Sequence, residues 1–200
     1  MGSAIGESLV LVINTLGGLF ILAVLLRFLL QATGADFYNP VSQAIVKATN
    51  PAIKPLRKII PSYRNLDFGP LILAILLNIA ATSTMILAAG LDLPGVGSII
   101  SWAVVGILSF ILKIYFFTLI ISIIASWIAP FSGNPALMLA SQIIEPLQSL
   151  FRKVIPPMGG LDFSPIFIFL GIQIIENTVI GTLAQALGMN PRVFQFVIGI

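Results

Sequence analysis

Two opposite charges stand in stretches otherwise built of hydrocarbon: Lys113 in ILKIYFF and Glu176 in GIQIIENTV. Around them gathers a set of neutral polar residues. Gln173, Glu176 and Asn177 are spaced i, i+3, i+4, which puts them on one face of a helix. Ser109 stands one turn before Lys113. Asn78 and Thr82 share a face elsewhere, and Asn14 lies in the first apolar stretch. This inventory supports two chemistries. One is interhelical hydrogen-bond glue. The other is an ion or proton path in which Lys113 and Glu176 meet, directly or through water. A charge at the centre of a bilayer costs about 2.5–3.5 kcal/mol on insertion scales, so each must face protein or water. Two opposite charges neutralise one another, which suits a lock or gate better than an open cation pore.

Other chemistries are excluded by what is missing. The chain has no histidine and no cysteine. That removes thiolate nucleophiles, imidazole bases and nearly every transition-metal site. Gly159-Gly160 has neither the strand context nor the lysine of a phosphate-binding loop. No nucleophile is paired with a base, so the expectation is a non-enzyme without a cofactor and without direct nucleic-acid contact.

The elements that position these residues follow from hydropathy. The chain is 58% hydrophobic and 8% charged, with mean hydropathy +1.09; soluble proteins are about 25% charged. Spanning a bilayer takes about 20 apolar residues. Four segments qualify, at roughly 8–30, 67–89, 97–129 and 162–187. The third is longer than a span requires, so it tilts or lays its first turns, around Trp102, in the interface. Residues 188–200 are apolar but short and interrupted by Pro191, which reads as an interfacial tail. Seven of the ten basic residues, Lys47, Lys54, Arg57, Lys58, Arg64, Arg152 and Lys153, fall in the two long connections 31–66 and 130–161. The positive-inside rule places both in the cytoplasm and both termini opposite, with Arg192 dissenting.

The connections repeat each other. Residues 39–70 set against 134–165 without a gap agree at eleven of 32 positions, including Asn39/Asn134, Pro40/Pro135, Arg57/Arg152, Lys58/Lys153, Asp67/Asp162 and Pro70/Pro165. The chain therefore reads as a tandem duplication, with units 1–96 and 97–200. Each unit has two spans, so the copies are parallel. The expected fold is an all-α membrane protein, four transmembrane helices in two helix–loop–helix repeats with amphipathic interfacial loop helices.

Asp67 and Asp162 stand just before a span, where they accept hydrogen bonds from its first amides. Pro70 and Pro165 suit a first helical turn, while Pro61 and Pro156 end what precedes them. Arg57-Lys58 and Arg152-Lys153 serve as topology signals that also meet anionic lipid, or as a docking site for a membrane-protein partner. The small residues Ala80, Thr84 and Ala88 form a ridge that packs the two units together or joins copies in a homo-oligomer.

The sequence NPVSQAIVKATNPAIKPLRKIIP…LDFGP, repeated as NPALMLASQIIEPLQSLFRKVIP…LDFSP, resembles the YggT family of integral membrane proteins. This family is also called YlmG and is related to a chloroplast cytochrome b6 haem-attachment factor. The resemblance implies a bacterial inner-membrane protein linked to osmotic-stress tolerance, potassium-limited growth and cell division, with plastid relatives linked to cytochrome b6 assembly. The repeated basic loops and the lack of a catalytic set favour a non-enzymatic assembly or organising factor, and the Lys113/Glu176 seam gives an ion-transport role as the alternative. The copies depart from one another where Asn50 stands against Glu145 and Arg27 against Ser122.

Overall fold

The computed structural model describes residues 4–60, 62, 66–128, 132–157, 162–189 and 191–200, the last without the side chains of residues 191 and 192. Pro61, Arg64, Leu161 and the Arg192 side chain lie outside the described residues. Four helices are long and apolar enough to cross a membrane: Ala4–Ala32, Gly69–Ala88, Val96–Ile128 and Ser164–Ala186. They are the first to fourth spans. Two further helices, Pro40–Leu56 and Pro135–Val154, occupy the long connections and are the first and second loop helices. No β-strand occurs among the described residues.

Both loop helices start in the same way. Asn39 Oδ1 accepts from the Val41 amide at 2.9 Å, and Asn134 Oδ1 accepts from the Ala136 amide at 2.9 Å. In each the following proline occupies the first turn, where its missing amide costs nothing. Pro51, Pro55 and Pro146 lie inside these helices without ending them. All three sit on exposed faces, where a proline ring meets no packed neighbour.

The first span packs on the second, the second on the third and the third on the fourth, while each loop helix packs beneath the spans of its own copy. One core joins Ile21, Val24 and Leu25 to Leu73, Ala74 and Met85 and on to Trp102 and Val105. A second core lies under the second loop helix, around Leu119, Ile144, Ile168 and Ile172. The outward faces of the spans carry exposed side chains such as Leu9, Leu16, Leu76, Phe117 and Ile174. That is the surface a hydrocarbon solvent allows.

Two sequence expectations need correction, and three observations bear on the spans and the tail. One concerns the third span, which is one continuous helix: Trp102 is packed into the bundle, and its indole Nε1 donates to the Leu187 carbonyl at 2.9 Å, which leaves the tilt and the interfacial placement of these turns as expected from the sequence. The chain beyond 190 is not an interfacial tail. It folds back between the spans and buries Phe196, Val197 and Ile198. Backbone without regular structure can lie at that depth only if its polar groups find partners. Asn78 Nδ2 donates to the Ile198 carbonyl at 2.9 Å, and the Ser109 hydroxyl lies 2.5 Å from the Gly199 carbonyl. Gly199, at φ +107°, is pressed against the backbone of Gly106, and neither site has room for a Cβ. Thirdly, Ala80 and Thr84 are exposed, so the small-residue ridge does not pack the two units together within this chain.

Candidate functional site

The repeated motif builds the same clasp twice. Arg57 Nε donates to Asp67 Oδ2 at 2.6 Å, and Arg152 Nε donates to Asp162 Oδ2 at 2.9 Å. The other oxygen of each carboxylate accepts from the start of the outgoing span, Asp67 Oδ1 from the Gly69 amide at 2.9 Å and Asp162 Oδ1 from the Ser164 amide at 2.8 Å. One aspartate thus caps the span and ties it to the end of the preceding loop helix. Pro70 and Pro165 lie in the first turn of those spans. The sequence reading assigned the caps but treated the arginines as lipid or partner contacts. Their constant separation of ten residues from the aspartate, in both copies, was the available signal.

Surroundings differ between the clasps. The Asp67 side chain is 6% exposed and that of Asp162 29%. Arg152 also donates to Glu145 Oε1 at 3.1 Å and to Gln148 Oε1 at 3.1 Å. Its hydrogen bond to Asp162 holds the guanidinium above its ordinary pKa, with burial acting against and the Glu145 and Asp162 charges adding to it. Burial pushes the Asp162 carboxyl up, but hydrogen bonds from Ser164 and Arg152 outweigh it and leave the group below its ordinary value.

Arg27 is buried near the end of the first span. It donates to Thr49 Oγ1 at 2.9 Å and to the Val46 carbonyl at 3.3 Å, pinning the first loop helix to the bundle. The loop helices also touch each other. Asn39 Nδ2 donates to the Pro135 carbonyl at 2.8 Å, and the Asp36 amide donates to Gln142 Oε1 at 3.0 Å.

Arg27, Arg57 and Arg152 are all occupied, and the exposed loop cations without an ion pair among the described residues are lysines. Lys47, Lys54, Lys58 and Lys153 are exposed and form no ion pair among the described residues. Lys47 and Lys54 line a groove of about 590 Å³ on the outer face of the first loop helix, with Phe37, Gln43, Asn50 and Pro51. The second copy has Gln142 and Ser149 where Lys47 and Lys54 stand.

The intramembrane seam is only partly assembled. Asn78, Ser109 and Glu176 come together around the returning tail, with Ser109 Oγ 2.6 Å from Glu176 Oε1. Thr82 donates to Asn78 Oδ1 at 3.2 Å. Glu176 Oε2 is buried without a partner among the described residues. Lys113 and Glu176 line one cavity of about 440 Å³, with Gln173, but make no ion pair within reach. The reason is register: Glu176 lies level with Ser109, one turn, about 6 Å, from Lys113. Asn177 turns away and donates to the Gln173 carbonyl at 2.8 Å. Both Glu176 and Asn177 sit in a π-helical turn, Ile175–Ile180, and Asn14 sits in another, Ile13–Gly17. No group of His, Cys, Asp and Glu able to hold a metal occurs among the described residues.

The family model CCB3/YggT matches residues 6–88 and again 101–183, an offset equal to the spacing of the two clasps. The chain belongs to the CCB3/YggT family. It is 46% identical over 187 residues to an uncharacterised protein of Pseudomonas aeruginosa, covering 93% of this chain and 95% of the relative. It is 32% identical over 184 residues to the uncharacterised protein YggT of Escherichia coli K12, covering 91% and 94%. A shorter match, 38% over 74 residues, covers 36% of this chain and 28% of the chloroplastic YlmG homolog protein 2 of Arabidopsis thaliana. No solved structure matches. Each matched segment of this chain takes in most of a span, a clasped loop helix and most of a second span.

Proposed function

We propose that this YggT protein is a non-enzymatic organising factor of the bacterial inner membrane. Its two loop helices form a rigid cytoplasmic platform that docks anionic lipid and a membrane-protein partner. The observation that carries this reading is the division of labour among the basic residues. Arg57 and Arg152 hold the loop helices to the spans, while Lys47 and Lys54 on the first loop helix and Lys58 in the turn after it are exposed without acidic partners among the described residues. Juxtamembrane lysines contribute about 1 kcal/mol each toward an anionic surface. The positive-inside rule supports a cytoplasmic position for both loops. Osmotic-stress tolerance and cell division are the processes that the family resemblance offers for such a platform.

The test is photo-crosslinking in native membranes from a photoreactive residue at Gln43, comparing wild type with Lys47→Glu/Lys54→Glu. A discrete protein adduct, lost in the double variant, is the expected result. Identical capture by both proteins removes the platform reading. Ion transport is the second reading, favoured by the unpartnered Glu176 Oε2 close to Lys113. The tail that occupies the seam weighs against it. Potassium flux in proteoliposomes that is absent, or unchanged in Glu176→Gln, eliminates it.

A further inference from the structure

The two clasps differ in what their arginines have left over. Arg152 is used up: Nε meets Asp162, Nη1 meets Glu145 and Nη2 meets Gln148. Arg57 spends only its Nε, on Asp67, and its two Nη groups have no partner among the described residues. The columns of Glu145 and Gln148 hold Asn50 and Ile53 in the first copy, and Ile53 is fully buried and offers no acceptor. The charge count differs as well. In the first copy two guanidiniums, Arg57 and the buried Arg27, stand around the single carboxylate of Asp67, and Arg27 is within electrostatic reach of both. In the second, one guanidinium meets two carboxylates. The first clasp is left with one positive charge in excess, the second with one negative. Beside Arg57 opens a cavity of about 420 Å³, lined also by Gln31, Ile60, Ser62 and Asp67. Asp67 leaves it open to an anion, because its two oxygens already serve Arg57 and the Gly69 amide. Gln31 belongs to the last turn of the first span, so the cavity lies where that span leaves the bilayer.

We propose that this cavity is a phosphate site, with the Nη groups of Arg57 donating to the phosphate oxygens and Gln31 and Ser62 forming its polar walls. A planar guanidinium presents paired N–H groups that match two oxygens of a phosphate, which a lone ammonium does not. The excess positive charge selects an anion, and phosphate is the anion of the headgroup layer at this boundary. A lipid phosphodiester and a soluble phosphate compound offer the same oxygens. The site lies apart from the groove of Lys47 and Lys54, and the inference does not rest on the platform reading.

Asn50→Glu writes Glu145 of the second copy into the first, two helical turns before Arg57, and supplies the missing anion from within the chain. It adds an ion pair, so lost binding is not lost fold. The intact chain in maltoside micelles is titrated with inorganic phosphate and, separately, with phosphatidylglycerol, and thermal unfolding reads the apparent affinity. Saturable stabilisation is expected, weakened about tenfold in Asn50→Glu, the scale of one charge-assisted hydrogen bond. Arg57→Lys, which keeps the charge without the fork, should weaken it to the same degree. Ser141→Glu, which puts the same charge on the exposed face of the second loop helix, should leave it unchanged. Stabilisation by the lipid alone assigns the phosphate to a headgroup; by inorganic phosphate alone, to a soluble compound; by both, to the phosphate group itself. No saturable stabilisation by either, equal stabilisation by acetate, or affinity indifferent to Asn50→Glu overturns the proposal. A loss in Asn50→Glu with none in Arg57→Lys places the ligand in the lysine groove and also overturns it.

Discussion

The two copies share one clasp but embed it differently. In the first, Asp67 is nearly sealed from solvent and Arg57 is its ion-pair partner; behind them the buried Arg27 is held by Thr49. In the second, Asp162 is partly open, Arg152 spreads over Asp162, Glu145 and Gln148, and the columns of Arg27 and Thr49 hold Ser122 and Ile144. Ile144 is fully buried and apolar contacts take over there. One copy therefore seats its loop helix with a buried cation, the other with hydrocarbon and a more exposed ionic fan. After duplication, the arginine–aspartate tie is what both units kept; the means of packing the helix against the bundle diverged.

The largest expected effect tests that divergence. Thr49→Ile leaves the buried Arg27 guanidinium short of its hydroxyl acceptor and should lower stability by about 3 kcal/mol. Adding Arg27→Ser, which writes the second copy's pair into the first, should recover most of the loss. Thermal unfolding in detergent micelles measures both, and additive losses would mean that the two residues do not act together. The clasps come next. Asp67→Asn should cost about 2 kcal/mol, because a charge-assisted bond is lost at a buried site. Asp162→Asn should cost less than about 1 kcal/mol, because its clasp is open and Arg152 keeps other acceptors. Equal losses would erase the distinction between copies.

Asn78 and Gln173 occupy matching columns, yet only Asn78 holds the returning tail. Asn78→Ala should cost about 1–2 kcal/mol and should open a thiol placed at the buried Val197 to maleimide labelling; Gln173→Ala should do neither. Labelling that stays blocked in Asn78→Ala would show that packing alone seats the tail. The smallest effect is one of pH. The folded Asp162 carboxyl titrates below its ordinary value of 3.8, so its contribution is complete above that pH and is lost as the pH falls through the depressed value. The stability gap between wild type and Asp162→Asn should therefore close on acidification below about pH 4. A gap that widened instead would reverse the assigned direction.

The sequence alone determined the four spans, the duplication and the helix starts. Each is written in local terms: hydropathy over about 20 residues, an ungapped register, and Asn-Pro or Asp placed where free amides need an acceptor. Even the clasp was within reach, since its two residues keep one separation in both copies. The tertiary structure alone decided the rest. That Glu176 is level with Ser109 and not Lys113 depends on the axial register of two helices, which differs by one turn and leaves no trace in either helix by itself. The return of residues 191–200 into the bundle depends on two glycines meeting across the fold and on Asn78 and Ser109 lying where bare carbonyls arrive. A short apolar tail is equally suited to an interface and to a packed interior, and only the arrangement of donors around it selects between them.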